Sequence, residues 1–356
     1  MKRFIMTAYL VIFSTFLLLA IIIEYNGAKY LNIWNPMTKL KHQIAAGEIP
    51  IAPFDVIALG NSQLLSGFVP LHFDQAYNLA VPGTVIIDQY YLLEKYLQHH
   101  PPPKVLIHGL FPQNEYYHHY TFWNFQVRYG AYSFYQAMDL LYHSVKTNNF
   151  FTSKYKEGTV KEITKFILRF ISFKLNLPNE NQDILQKTFT NAPSQIDFHQ
   201  VMNESHLQQG YYHFKTGAFL ENYFLENLLK TQMEKNDIYQ MDPLLKIYLD
   251  KMIVLTKKYN IHYVLLHMPN RSQIVDSTGH NTIKGAKDFL INYLRNHPHT
   301  TYLQENLSLA DSFYSDIFHY TPEGANLLTQ KIKHMLLEKK LIQGPATSIV
   351  EGDQKK

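Results

Sequence analysis

The sequence predicts an α/β fold: a parallel sheet covered on both faces by helices, preceded by one N-terminal transmembrane helix. Three observations predict it. Short apolar runs of strand length alternate with segments of helical period. Turn residues, chiefly Gly, Asn and Pro, punctuate the alternation. Residues 4–23 form a run of twenty without a charge, the length that spans a bilayer as a helix.

The anchor comes first. Lys2 and Arg3 precede the run, and Glu24-Tyr25-Asn26 follows it. A secretory signal has a shorter core and a small-residue exit. Here Gly27-Ala28 follows Asn26, a poor cleavage signal, so 1–25 reads as an uncleaved anchor. The basic pair leaves the N-terminus in the cytoplasm and the rest of the chain outside it. A cleaved signal would export the same domain. Residues 26–50 read as a connector, 51–343 as the α/β domain, and the polar 344–356 as a disordered tail.

Within the domain, 55–59 (DVIAL) reads as a buried strand and 76–81 (AYNLAV) as a second. Residues 84–99 carry Ile86, Tyr90, Leu93 and Leu97 on one helical face, ended by Pro101-Pro102-Pro103. A third strand is expected at 104–110 (KVLIHGL), a fourth at 262–267 (HYVLLH) and a fifth at 300–303. Helices fit over 243–259, 283–296 and 322–339. Between about 111 and 242 the rhythm breaks into a mainly helical, aromatic-rich insertion that opens on NEYYHHYTFWNFQVRYGAYSFY (114–135). Those aromatics suit sugar rings and acyl chains, or simply an aromatic core.

The 356 residues are 46% apolar, enough for a sizeable core. The net charge of +4 is spread without a basic stripe, so no nucleic-acid partner is expected. With no cysteine, disulfides, thiol catalysis and thiolate metal sites are excluded. No cofactor and no metal are expected; a metal set built from Glu115, His118 and His119 fails because adjacent histidines cannot share one helical face.

Chemistry concentrates where strands end. Gly60-Asn61-Ser62 follows the first strand, with a helix expected from about Gln63 whose free amides favour negative charge. Ser62 is thus a helix cap or a nucleophile. A nucleophile needs a base and an orienting acid, and Asp316-Ile317-Phe318-His319 supplies both just before Thr321-Pro322, a helix start. The alternative is a loop histidine bonded to an acid for structural reasons. Gly83, in Asn78-Leu79-Ala80-Val81-Pro82-Gly83-Thr84, offers an N–H to an oxyanion or merely closes a strand. Arg271 (HMPNRSQ) is a weak candidate for an anionic substrate group, or an exposed loop charge.

This ordered set resembles the SGNH (GDSL-like) hydrolase family. The Gly-Asp-Ser turn of that family is matched by Gly60-Asn61-Ser62, its oxyanion glycine by Gly83, and its Asp-x-x-His by Asp316 and His319. The third block, Gly-x-Asn-Asp, departs: Gly109-Leu110-Phe111-Pro112-Gln113-Asn114 has Asn114 at a different spacing. The resemblance covers about 54–114 and 260–339. It implies a three-layer α/β/α sandwich with Ser62, His319 and Asp316 catalytic and Ser62, Gly83 and Asn114 around the oxyanion. With the anchor, the NLAVPG block and DIFHYTPEGA, the chain is similar to exported SGNH-like proteins of cell-envelope acylation, of the D-alanine-transfer and polysaccharide O-acetyltransferase type. That implies an esterase or O-acyltransferase acting on envelope glycans or a lipid-linked acyl acceptor, beside a membrane-bound O-acyltransferase. A degenerate SGNH fold serving as a glycan-binding or assembly subunit is the other reading.

Overall fold

The computed structural model describes residues 14, 18, 21, 36–110, 122–127, 132–150, 158–174, 198–213, 239, 241–272, 280–303, 307–316 and 318–343. The chain is an α/β protein built on a five-stranded, all-parallel sheet: β1 (Val56–Leu59), β2 (Ala76–Asn78), β3 (Val105–Leu110), β4 (His262–His267) and β5 (Thr300–Leu303). The spatial order is β2-β1-β3-β4-β5. All four residues of β1 and the first five of β3 are buried, so both faces of the sheet are covered there. That is why these strands read as unbroken apolar runs rather than as alternating ones.

Ten helical segments accompany the sheet: α1 (Pro36–Ala45), α2 (Ser62–Gly67), α3 (Ile86–His99), a π-helical turn (Phe122–Val127), α4 (Phe134–Thr147), α5 (Thr159–Lys174), α6 (Phe198–Leu207), α7 (Pro243–Lys258), α8 (His280–Leu294) and α9 (Pro322–Glu338). These are the α- and π-helical elements among the described residues. Helix α3 packs on α7, and α9 packs on α2. The expected strand 76–81 ends early, at Asn78, because the Asn78 side chain accepts from the Ala80 amide at 3.1 Å and turns the chain. The segment stays fastened to β1 all the same, with Leu79 N–H donating to Ala58 O at 2.7 Å and Val81 N–H to Gly60 O at 2.9 Å.

Residues 36–45, expected within a connector, form a helix of the packed body. Met37, Leu40, Ile44 and Ala45 are buried, and α1 lies against α3 and α6. Lys41 is buried with them; its Nζ donates to the Gly210 carbonyl at 2.6 Å and to that of Asn78. Burial pushes this ammonium well below its ordinary pKa. The chain after α6 also seals the sheet edge: the Asn78 N–H donates to Gln209 O at 2.9 Å. Gly210 has φ +92°, and a Cβ there would lie 2.2 Å from the Asn78 carbonyl oxygen.

Several described aromatics of the insertion pack as core, among them Trp123, Tyr132, Phe166 and Phe170, whereas Tyr135 and Tyr142 are exposed. Trp123 and Phe166 meet edge to face with centroids 5.3 Å apart, both buried. Asp139 of α4 accepts from Lys251 Nζ at 2.6 Å, Tyr91 Oη at 2.6 Å and Tyr248 Oη at 3.1 Å, which docks α4 on α3 and α7. Among the described residues no helix is long and apolar enough to cross a membrane. Most of 4–23 lies outside them, as does 344–356; Ser14, Leu18 and Ile21 are helical and exposed.

Candidate functional site

After β1 the chain continues to β2 on one side, then returns to β3 on the other. The carboxyl ends of β1 and β3 therefore flank a topological switch point, where open α/β sheets bind ligands. Ser62 stands there, half-buried, as the first residue of α2. The cap of that helix is Asn61, not Ser62. Asn61 is extended (φ −94°, ψ −162°), and its Oδ1 accepts from the Gln63 amide at 3.0 Å. The Asn61 side chain thus takes the capping role that the sequence left open for Ser62. Gly60 is likewise selected by space: a Cβ there would stand 3.0 Å from Leu64 Cβ and 3.2 Å from the Gly109 carbonyl.

Helix α2 has only six residues, too short to hold itself. Three tethers hold it. The Asn78 amide, fully buried, donates to the Leu64 and Phe68 carbonyls at 3.0 and 2.9 Å and to that of Leu65 at 3.2 Å. Thr329 of α9 accepts from Val69 N–H at 2.9 Å and donates to Gly67 O at 3.2 Å. The Tyr320 ring lies against Gly67, where a Cβ would come within 2.7 Å of it.

Asp316 and His319 are paired as the spacing predicts. Nδ1 of His319 is 2.7 Å from Oδ2 of Asp316. The other oxygen, Oδ1, accepts the Phe318 and His319 amides, both at 2.7 Å. The carboxylate is thus fixed by the backbone and can only accept from the ring, so neutral His319 carries its proton on Nδ1 and its lone pair on Nε2. Burial acts most strongly on Asp316 and would raise it; the bonds from His319 and the two amides together outweigh burial and hold its carboxyl below the ordinary carboxylate value. Thr321 caps α9 by accepting from Gly324 N–H at 3.1 Å. Gly324 is required by crowding, since a Cβ would lie 2.3 Å from the Phe313 carbonyl.

Tyr320 joins this loop to the rest. Its hydroxyl donates to Pro269 O at 2.7 Å, just past β4, while its ring touches Gly67 of α2. Gln63, the neighbour of Ser62, donates to Asn270 Oδ1 at 3.3 Å. The loops after β1 and β4 and the loop before α9 therefore meet at the carboxyl end of the sheet. Ser62 itself makes no side-chain hydrogen bond with any described residue.

Gly83 has φ +70°, a left-handed turn that glycine adopts without strain, and its N–H bonds no described residue. The neighbouring Thr84 hydroxyl bridges to the carbonyls of Gly60 at 3.0 Å and Val81 at 2.8 Å, tying the Gly83 turn to the Ser62 turn. The insertion reaches this turn too. Gln126 Nε2 lies 3.5 Å from Pro82 O, and the Tyr132 hydroxyl donates to Asp88. Arg271 sits beside Asp311, whose carboxylate is lowered first by its bonds from Ser272 and then, weakly, by this charge. Asn114 and the set Glu115, His118 and His119 lie outside the described residues.

Asn78, Thr84 and Tyr320 are the site-forming residues that sequence reasoning missed. Each stands inside a quoted motif, but its partner is distant in the chain. No protein-family model matches this chain, and no curated protein matches it in sequence.

Proposed function

We propose that the chain is an exported, membrane-anchored serine esterase or O-acyltransferase of SGNH type, acting on acyl esters of cell-envelope glycans through an acyl-serine. One observation carries the reading: a histidine oriented by a backbone-fixed aspartate belongs to the loop cluster at the carboxyl end of the sheet where Ser62, relieved of capping by Asn61, begins α2. The three-layer sandwich is part of the proposal. Right-handed crossovers between these strands would put α2 on one face and α3, α7 and α8 on the other; the packing of α3 on α7 accords with that, and the packing of α9 on α2 would add α9 to the first face.

In this mechanism Ser62 Oγ attacks the acyl carbonyl carbon while Nε2 of His319 takes its proton. Asp316 stabilises the imidazolium through Nδ1–H. The oxygen that becomes negative is met by the Ser62 and Gly83 amides, with Asn114 as a third donor. One such donor is worth about 2.7–4 kcal/mol of barrier. His319 returns the proton to the departing alkoxide, leaving acyl-Ser62. Water or a sugar hydroxyl, deprotonated by His319, then attacks that ester and regenerates Ser62. Water makes an esterase, and a glycan hydroxyl a transferase. Residues 4–23 anchor the domain outside the cytoplasm, beside a membrane-bound O-acyltransferase as acyl source.

A second reading is a glycan-binding or assembly subunit on a degenerate SGNH fold. The observation in its favour is that Ser62 makes no bond to His319 here, although catalytic hydrogen bonds often tighten only with substrate bound. Hydrolysis of an aryl acetate by the full-length chain in detergent separates the two. Activity abolished in Ser62→Ala and His319→Ala, with melting unchanged, supports the enzyme. Wild-type turnover no faster than that of Ser62→Ala supports the subunit.

A further inference from the structure

A chain of buried polar side chains runs from the middle of the sheet to the turn that carries Ser62. It begins at Tyr263 on β4, whose hydroxyl meets His108 Nδ1 on β3. His108 Nε2 meets Gln89 Oε1 on α3. The Gln89 amide nitrogen donates to Thr84 Oγ1 at 3.2 Å. Thr84 Oγ1 donates to the Gly60 carbonyl at 3.0 Å and the Val81 carbonyl at 2.8 Å. All four side chains are buried, Tyr263 and His108 completely.

With the Gln89 amide placed Oε1 toward His108 and Nε2 toward Thr84, the donors follow in order. Gln89 Oε1 accepts only, so His108 Nε2 must carry a proton; Nδ1 is then an acceptor, and Tyr263 must donate to it. Thr84 Oγ1 accepts from Gln89, so its own proton is left for the carbonyls. Burial pushes the His108 imidazole down to about 3, so the ring stays neutral at working pH and its two nitrogens divide as one donor and one acceptor. A half-satisfied buried network costs more than an apolar core, and this one is connected from end to end.

Its end point matters. Gly60 O receives both the Thr84 hydroxyl and the Val81 amide, the latter at 2.9 Å. Through that one carbonyl the turn bearing Ser62 is clamped to the turn bearing Gly83. His108 is also the direct β3 partner of Leu59, the residue before Gly60. We propose that Thr84, Gln89 and His108 are positioning residues that hold the Ser62 nucleophile and the Gly83 amide in one fixed relation. This rests on the acyl-serine reading above and extends it into the core, to residues that touch no substrate. Displacing a reacting group by about 1 Å can cost on the order of 100-fold in rate, so a clamp of this kind is worth building.

The test is the kinetics of Ser62 phosphonylation by a fluorophosphonate on the full-length chain in detergent. The saturating rate and the half-saturation concentration are separated, and thermal melting is followed beside them. Thr84→Val, which keeps the shape and loses the hydroxyl, should lower the saturating rate about 10- to 100-fold with half-saturation unchanged. Thr84→Ser should restore it to within about threefold, since the hydroxyl geometry is kept. Gln89→Met cuts the chain one bond upstream and should lower the same rate by a smaller factor; it serves if Thr84→Val does not fold. A saturating rate at the wild-type value in folded Thr84→Val or Gln89→Met, with only melting lowered, overturns the positioning role and leaves the acyl-serine reading standing. A wild-type chain that takes no label at Ser62 overturns that reading and this one together.

Discussion

At the scale of single residues, the Asp316–His319 pair is defined by which atoms are already occupied. Both amides that bind Oδ1 come from the same tight loop, so the carboxylate cannot turn away from the ring. Asp316→Asn would present an amide to Nδ1 and favour the wrong tautomer. Its expected effect is a loss of turnover of about 1,000- to 10,000-fold with some activity remaining, because the oxyanion donors persist. Full activity in that variant removes Asp316 from the triad. Because the folded Asp316 carboxyl titrates below its unfolded value, its contribution to stability is present above the ordinary carboxylate range and fades as pH falls through the folded pKa. Asp88 acts in the opposite sense. Burial pushes it from 3.8 up to about 7 against the bonds from Tyr132 and Val85. The folded state therefore holds a proton that the unfolded state releases, and stability declines as pH rises between those values. Asp88→Asn should flatten the melting temperature over that window; an unchanged slope would show that Asp88 does not titrate there.

At the scale of elements, a six-residue helix carries the candidate nucleophile and is held by what surrounds it. Asn78→Ala would strip the buried Phe68 carbonyl of its Asn78 donor, leave the Leu64 carbonyl with only the Phe68 N–H, and should cost about 1–3 kcal/mol in denaturant unfolding. Gly67→Ala should cost a similar amount, about 1–3 kcal/mol by overpacking, because Tyr320 must move. If the two variants lose activity well beyond their loss of stability, α2 is a positioned element and not only a packed one. The strands were legible in the sequence to within a residue or so at β1, β3, β4 and β5, because buried parallel strands are continuous apolar runs. Thr321-Pro322 gave the start of α9 through cap chemistry that is local. What could not be read is what acts across space. Asn78 and His108 fall within expected strands and Gln89 within an expected helix, yet their partners lie ten or more residues away along the chain. The helix over 36–45 was hidden for the same reason: Lys41 reads as a connector charge until Gly210 is brought to it.

At the scale of the whole molecule, the carboxyl end of a parallel sheet gathers the candidate residues, while the described part of the insertion is tied into the body through Asp139, Asp88 and the Gly210 turn. The proposed anchor, 4–23, would leave that end outside the cytoplasm. In cells the full chain should sediment with membranes and lose its domain to protease added from outside; a protected domain would contradict the proposed topology. The central claim is that Ser62 is an activated nucleophile. Its most direct test is the intact mass of the full-length chain, in detergent, after treatment with a fluorophosphonate, with Ser62→Ala beside it. One adduct, absent in the variant, is the expected result. A folded wild-type chain without an adduct, or an adduct that persists in Ser62→Ala, would contradict it.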